Sequence, residues 1–231
     1  MSRARRAVAA LAVVLALWIV TPHLLRHVGF FRVRQIELVG LRYLAPSAVL
    51  GALRLAADAS VFDDLDEISA RVRTLAGVSD ARVVRRPPGA LKVLVREVEP
   101  VALVPGVGSG GRALTVVDGG ARPLPYDPSR TALDLPVAQS GDSGLVGVLA
   151  LVQSVDLTLF EEITGARAGK HGVVLELGSR RVLVARDVGP EVIRAVVLVS
   201  QDLEARHRTY AELDARYDGQ IVVRRAAGAG V

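Results

Sequence analysis

Residues 81–102, ARVVRRPPGALKVLVREVEPVA, restrict the fold of this chain more than any other stretch. Val83, then Leu91, Val93 and Val95, alternate with arginine and lysine, the two-residue period of a strand with one buried face. Pro87, Pro88 and Gly89 separate the two runs. Proline lacks the N–H a ladder needs and glycine tolerates turn dihedrals, so the stretch predicts a β-hairpin. Pro100 ends the second strand or leaves it only an edge position. A small unit of helices and strands precedes the hairpin, and a longer β-rich unit follows it.

Residues 7–25 form the other extreme of the pattern: 19 positions with no acidic or basic side chain except His23. That length matches a hydrocarbon core of about 30 Å. Arg3, Arg5 and Arg6 precede the run and Arg26 follows it, so the positive flank places residues 1–6 in the cytoplasm and everything after the span outside it. A cleaved signal peptide is the rival reading, and it lacks the small residues a cleavage site requires in TPHLLRHVGFF. These four arginines also account for the net charge of +5: no acid precedes Glu37, and the other basic residues balance the 24 acids to within one charge. With few aromatics and no basic stripe, nucleic-acid binding is not expected. The absence of cysteine excludes disulfides and thiolate metal sites.

Between span and hairpin, residues 31–39 read as a strand ending at Gly40, and Pro46 and Ser47 open a short helix with Val49, Leu50 and Leu53 on one face. Asp63 or Asp64 caps a second helix, whose Leu65, Ile68, Val72 and Leu75 keep spacings of three and four, ending at Gly77. The order is strand, helix, helix, strand, strand. With V-x-x-I-x-x-x-G at 33–40, Phe62 to Leu65 as a turn and Gly77-Val78, it resembles a POTRA domain. Pro88, Leu91, Val93, Val95, Glu97, Pro100, Val101 and Ala102 reproduce P-x-x-L-x-V-x-V-x-E-x-x-P-V-A, which is similar to the FtsQ/DivIB family of bacterial division proteins. The family usually carries Trp before the first of these prolines, where this chain has Pro87.

The resemblance continues through the second unit. ALTVVDGGARPL resembles the family's strand, Asp-Gly turn and strand, and LDLPVAQSG its Leu-Pro-x-Leu-x-Gly. A helix is expected over 145–155, a hairpin of strands at 172–177 and 181–185 across Gly178-Ser179, and a helix from Pro190 to about Arg206. ELDARYDGQIVVRR is similar to the family's Leu-Asp-x-Arg-Tyr-x-x-Gly region and last strand.

The expected fold class is α+β: cytoplasmic tail 1–6, transmembrane helix 7–25, POTRA domain 31–99, β domain 100–225 with helices and an exposed C-terminal edge strand, and tail 226–231. No constellation supports catalysis. Gly141-Asp142-Ser143-Gly144 matches the string around a protease nucleophile, but the upstream histidines are His23 and His27, beside the membrane, so Asp142 or Ser143 reads as a helix cap. PGVGSGG lacks the Gly-Lys-Ser/Thr of a phosphate cradle. Neither cofactor, metal nor small-molecule substrate is expected.

Ile221, Val222 and Val223 form a short β-prone run near the chain end, plausible as a sheet edge whose unpaired backbone groups could take a partner strand. The resemblance implies that FtsB/FtsL-like division proteins bind here, with Arg216, Tyr217 and Gln220 flanking the contact and Arg167 as a further contact. The reading is a non-enzymatic, single-pass membrane scaffold at the division septum. A POTRA-bearing chaperone or translocation module is the alternative, and it normally requires several repeats or a barrel.

Overall fold

The computed structural model describes residues 29–106, 113–128 and 133–225. The apolar run at 7–25 and the tail at 226–231 lie outside these residues, and among the described residues no helix is long and apolar enough to cross a membrane. The chain divides into two compact units between Val98 and Glu99.

In the first unit the expected hairpin forms: β2 (Val78–Arg86) and β3 (Ala90–Glu97) pair antiparallel, with Val83 opposite Val93. β1 (Gln35–Val39) lies parallel to β3, Ile36 beside Leu91, giving the order β1-β3-β2. Helices α1 (Pro46–Leu53) and α2 (Leu65–Arg73) accompany this sheet. Ala81, Val83, Leu91, Val93 and Val95 are buried with Val49, Leu53, Ile68 and Val72 of the helices, each large side chain contributing about 1.5–3 kcal/mol. Asp64, not Asp63, caps α2, accepting from the N–H groups of Asp66 and Glu67. Two expectations shorten. The first strand covers only 35–39, because residues 29–31 form a 3₁₀ turn, and α2 ends at Arg73, four residues before Gly77, whose φ of +85° belongs to the turn into β2.

Two contacts tie this unit together. Gly40 has φ +93°, and a Cβ there would lie 2.1 Å from the Val95 carbonyl oxygen, so both conformation and space require glycine. The half-buried Glu97 carboxylate accepts hydrogen bonds from the N–H groups of Arg42, Tyr43 and Leu44 at 2.9, 3.0 and 2.8 Å, anchoring the β1–α1 loop to the end of β3.

The second unit is an eight-stranded mixed sheet in the order β11-β10-β9-β8-β7-β6-β4-β5. Its strands are β4 (Ala102–Pro105), β5 (Leu114–Val117), β6 (Val137–Ala138), β7 (Gly165–Gly169), β8 (Gly172–Leu177), β9 (Arg180–Val184), β10 (Glu212–Tyr217) and β11 (Gln220–Arg224). Three helices, α3 (Ser143–Val155), α4 (Leu157–Glu162) and α5 (Pro190–Ala205), complete it. Leu145, Leu149 and Val152 of α3 and Ile193 and Val196 of α5 form one core with Val173, Leu175, Val182, Val184 and Leu213 of the sheet. The GDSG string is the start of α3: Asp142 is its N-cap, accepting from the Leu145 N–H at 2.9 Å. That hydrogen bond, with the Arg186 guanidinium second, holds the Asp142 carboxyl below the usual carboxylate range.

The expected strand after the Asp118-Gly119 turn reduces to one bridge, Val117 to Pro123. Conversely, α4 and β7 form within 156–171, where the sequence reading assigns no element. β7, Gly-Ala-Arg-Ala-Gly, has no apolar alternation, and it joins the sheet because small residues let Gly165 and Ala166 sit buried in it.

Replacing Glu97 by alanine leaves three N–H groups without their acceptor and is expected to destabilise the first unit by about 2–3 kcal/mol, with a smaller loss for Glu97→Gln. Urea unfolding of both variants checks this.

Candidate functional site

β9 and β10 are parallel, so the chain between them must cross a face of the sheet, and α5 is that crossover. A two-residue turn, Asp218-Gly219 with Gly219 at φ +69°, then folds β11 back on the free flank of β10. β11 therefore lies at the rim and pairs with β10 alone: Leu213 with Val223, Asp214 with Val222, Tyr217 with Gln220. Register slips between Asp214 and Tyr217, a bulge that twists the ribbon at its turn end.

β11 differs from β2, one of the two rim strands of the first unit. There the outward Val83 N–H donates to the buried Ser69 hydroxyl at 3.0 Å, and the Ala81 N–H to Asp80 at 2.9 Å. Side chains thus occupy that edge. Among the described residues no hydrogen bond from a further element reaches residues 220–223. Val222 and Val223 are 40% and 38% exposed on opposite faces of β11, and Tyr217 is 55% exposed. Ile221 is half-buried against the core.

On the face of the sheet away from α5, the carboxylates are covered by arginines. Asp214 is fully buried, and Arg216 binds it through Nε at 2.7 Å and Nη2 at 2.6 Å. This pairing holds the Asp214 carboxyl below the usual carboxylate range and raises the Arg216 guanidinium above its ordinary value. Glu212, also buried, lies between Arg181 of β9 and Arg224 of β11, so one carboxylate joins three strands. On the other face, a groove of about 380 Å³ separates α5 from the β10–β11 ribbon, with Val192, Ala195 and Val199 facing Tyr217, Gln220 and Ile221.

The structure therefore brings Tyr217, Gln220, Ile221, Val222 and Val223 together at one edge, with Arg216 beside them but committed to Asp214. It does not bring Arg167 there. Arg167 is on β7, four strands away, about 19 Å at ordinary strand spacing, and ion-paired to Glu176 at 3.1 Å. Pairing registers do place it in one row with Val174, Leu183, Asp214 and Val222, on the same face. Sequence reasoning missed the α5 wall of the groove. Val192, Ala195 and Val199 recur at helical spacing, but they adjoin the buried Ile193 and Val196 and merge with the core stripe.

A larger cavity of about 640 Å³ lies beside Arg180. Arg180 is occupied there by Glu162 and Glu204, both at 2.8 Å, and by the Tyr210 hydroxyl at 3.1 Å, which ties the β8–β9 turn to α4 and α5.

Two comparisons agree with this architecture. The family model of the POTRA domain, FtsQ-type, matches residues 31–97. The cell division protein FtsQ of Rhodothermus marinus is 30% identical over 221 residues, an alignment covering 85% of this chain and 78% of the relative. An FtsQ-type POTRA unit followed by a β-rich unit is the arrangement the hairpin and C-terminal motifs imply, and the chain belongs to the FtsQ/DivIB family of cell division proteins.

Proposed function

We propose that this chain is a single-pass membrane scaffold of the division septum that holds FtsB/FtsL-like division proteins by strand addition at β11. The observation that carries this reading is an uncovered sheet edge bearing exposed Val222 and Val223. Main-chain bonds to β11 supply affinity, while Tyr217 and the groove along α5 select the side chains of the added strand. Arg216 and Asp214 set the twist and charge of the ribbon next to it. Arg167, on the same face but four strands away, serves a second, separate contact of a longer partner segment.

Residues 7–25 supply the anchor, with the N-terminus in the cytoplasm and both folded units outside it. Confinement to the membrane plane raises the effective concentration of partners that are themselves anchored, so modest edge contacts suffice to assemble a complex. Holding partners in place needs no chemistry, and the scaffold acts without catalysis.

Adjacent strand residues point their N–H groups to opposite flanks. One of Val222→Pro and Val223→Pro therefore removes an outward donor and the other a bond to β10. The first is expected to weaken co-purification of an FtsB-like partner by more than about tenfold with little change in melting temperature, and Tyr217→Ala to weaken it by a lesser factor. Unchanged capture by both proline variants would sink the edge mechanism.

The Asp214–Arg216 pair adds a pH dependence. Because folding depresses the Asp214 pKa, its contribution is fully present above the unfolded value of about 3.9 and disappears as pH falls through the folded value. Stability of the second unit should be flat in this respect from neutral pH down to about 5 and fall below about 4. Asp214→Asn should flatten part of that acid limb in pH-dependent urea titrations.

A further inference from the structure

We infer that the end of the first unit carrying Phe30 and the tip of the β2–β3 hairpin seats on the surface of an anionic phospholipid bilayer. The inference rests on the membrane-anchored reading above and adds a second, peripheral contact to it.

The parallel pairing of β1 with β3 puts the start of β1, the start of β3 and the end of β2 at one end of the sheet, with Gln35 beside Ala90 and Ala90 opposite Arg86. The backbone confirms the closeness: the N–H groups of Arg34 and Gln35 donate to the Gly89 carbonyl at 2.8 and 3.2 Å. This is also the end at which the chain arrives from the apolar run. Four residues lie between Leu25 and Phe30, and the five Cα–Cα steps reach at most about 18 Å.

The chemistry of this end suits a lipid interface. Phe30 is 59% exposed, although its ring stacks edge-on against Phe31 at 5.2 Å and Phe31 against Phe62 at 5.0 Å. The trio is a braced aromatic wedge with its outermost ring in solvent. At the same end of the sheet Arg32, Arg34 and Arg86 are exposed, and among the described residues none of them makes an ion pair with a carboxylate. Arg34 instead donates to the Phe30 carbonyl at 2.8 Å, which aligns its guanidinium with the wedge. Pro87 and Pro88 expose two further apolar rings at the hairpin tip. Most of the acids that follow Phe62 are engaged locally: Asp63 accepts from the Ser60 N–H, Asp64 caps α2 and Glu67 pairs with Arg71, while Asp66 is exposed in the first turn of α2 and Asp58 stands in the segment leading to Ser60. An exposed aromatic side chain at the same end as three arginines without carboxylate partners matches the acyl–headgroup boundary, where the ring sits among glycerol groups and the guanidinium groups bind lipid phosphates. A soluble acidic partner would use the arginines but leave the wedge and the short tether without a role.

The test uses the full chain in proteoliposomes of phosphatidylcholine, with or without phosphatidylglycerol. The chain has one tryptophan, Trp18, so Phe30→Trp in a Trp18→Phe background reports from position 30 alone. The expected result is quenching of that indole by lipids brominated near the headgroup and protection from aqueous acrylamide, stronger with phosphatidylglycerol and weakened by added salt. Each of Arg32→Gln, Arg34→Gln and Arg86→Gln should lower the docked-to-undocked ratio by about fivefold at low ionic strength, with circular dichroism unchanged. Alkaline carbonate washing separates the two readings. A chain that stays in the bilayer while the indole remains open to acrylamide overturns the docking and leaves the anchored scaffold intact. A chain released by carbonate overturns the anchor and the docking with it. An indole shielded from acrylamide yet untouched by brominated lipid also overturns the proposal, in favour of a protein contact.

Discussion

Because β10 runs parallel to β9, the intervening chain has to pass over a face of the sheet, and much of the second unit follows from that requirement. The crossover is α5, which buries Ile193 and Val196 on the side already occupied by α3. β10 then has one flank filled by β9 and one empty. A two-residue turn permits only an antiparallel neighbour on the empty flank, so β11 takes the rim. The same crossover sets α5 beside the β10–β11 ribbon, which is why a groove and an open edge adjoin each other.

The sheets treat their rims unequally. β2 is closed by the Ser69 hydroxyl and the Asp80 carboxylate. β5 is covered by its own returning segment, where the Leu124 N–H reaches the Val116 carbonyl at 2.8 Å. Closing an edge in these ways prevents unwanted pairing. Among the described residues β1 and β11 have no such cap, and β11 exposes a valine on each face. An apolar, uncapped rim is a hazard for an isolated protein and an asset for one whose rim has a designated partner, and this contrast gives the strand-addition reading its physical basis.

The ribbon is braced from the opposite face. Burying Glu212 and Asp214 on a sheet is costly unless each carboxylate is paired, and arginines from β9, β10 and β11 supply the pairing. Such pairs add little net stability compared with apolar packing, but they hold three strands in one register. A rim that must present a defined row of backbone groups depends on that register.

Much of the local structure was legible in the residues themselves. The alternation of Val83, Leu91, Val93 and Val95, the prolines at the turn, Pro46 and Pro190 at helix starts and the capping carboxylates of Asp64 and Asp142 all act over a few residues, so period and turn chemistry suffice to read them. β7 escaped because Gly-Ala-Arg-Ala-Gly carries no periodic signal; its place depends on the elements around it. The β-prone run at 221–223 and the family motifs around it pointed to the C-terminal edge. Only the tertiary structure decided that β2 is closed while β11 is open, that Arg216 is spent on Asp214, and that Arg167 stands four strands from β11. Strand order and edge capping arise from pairings between distant segments, and a sequence pattern that repeats every two or every three to four residues holds no information about which distant segment arrives alongside.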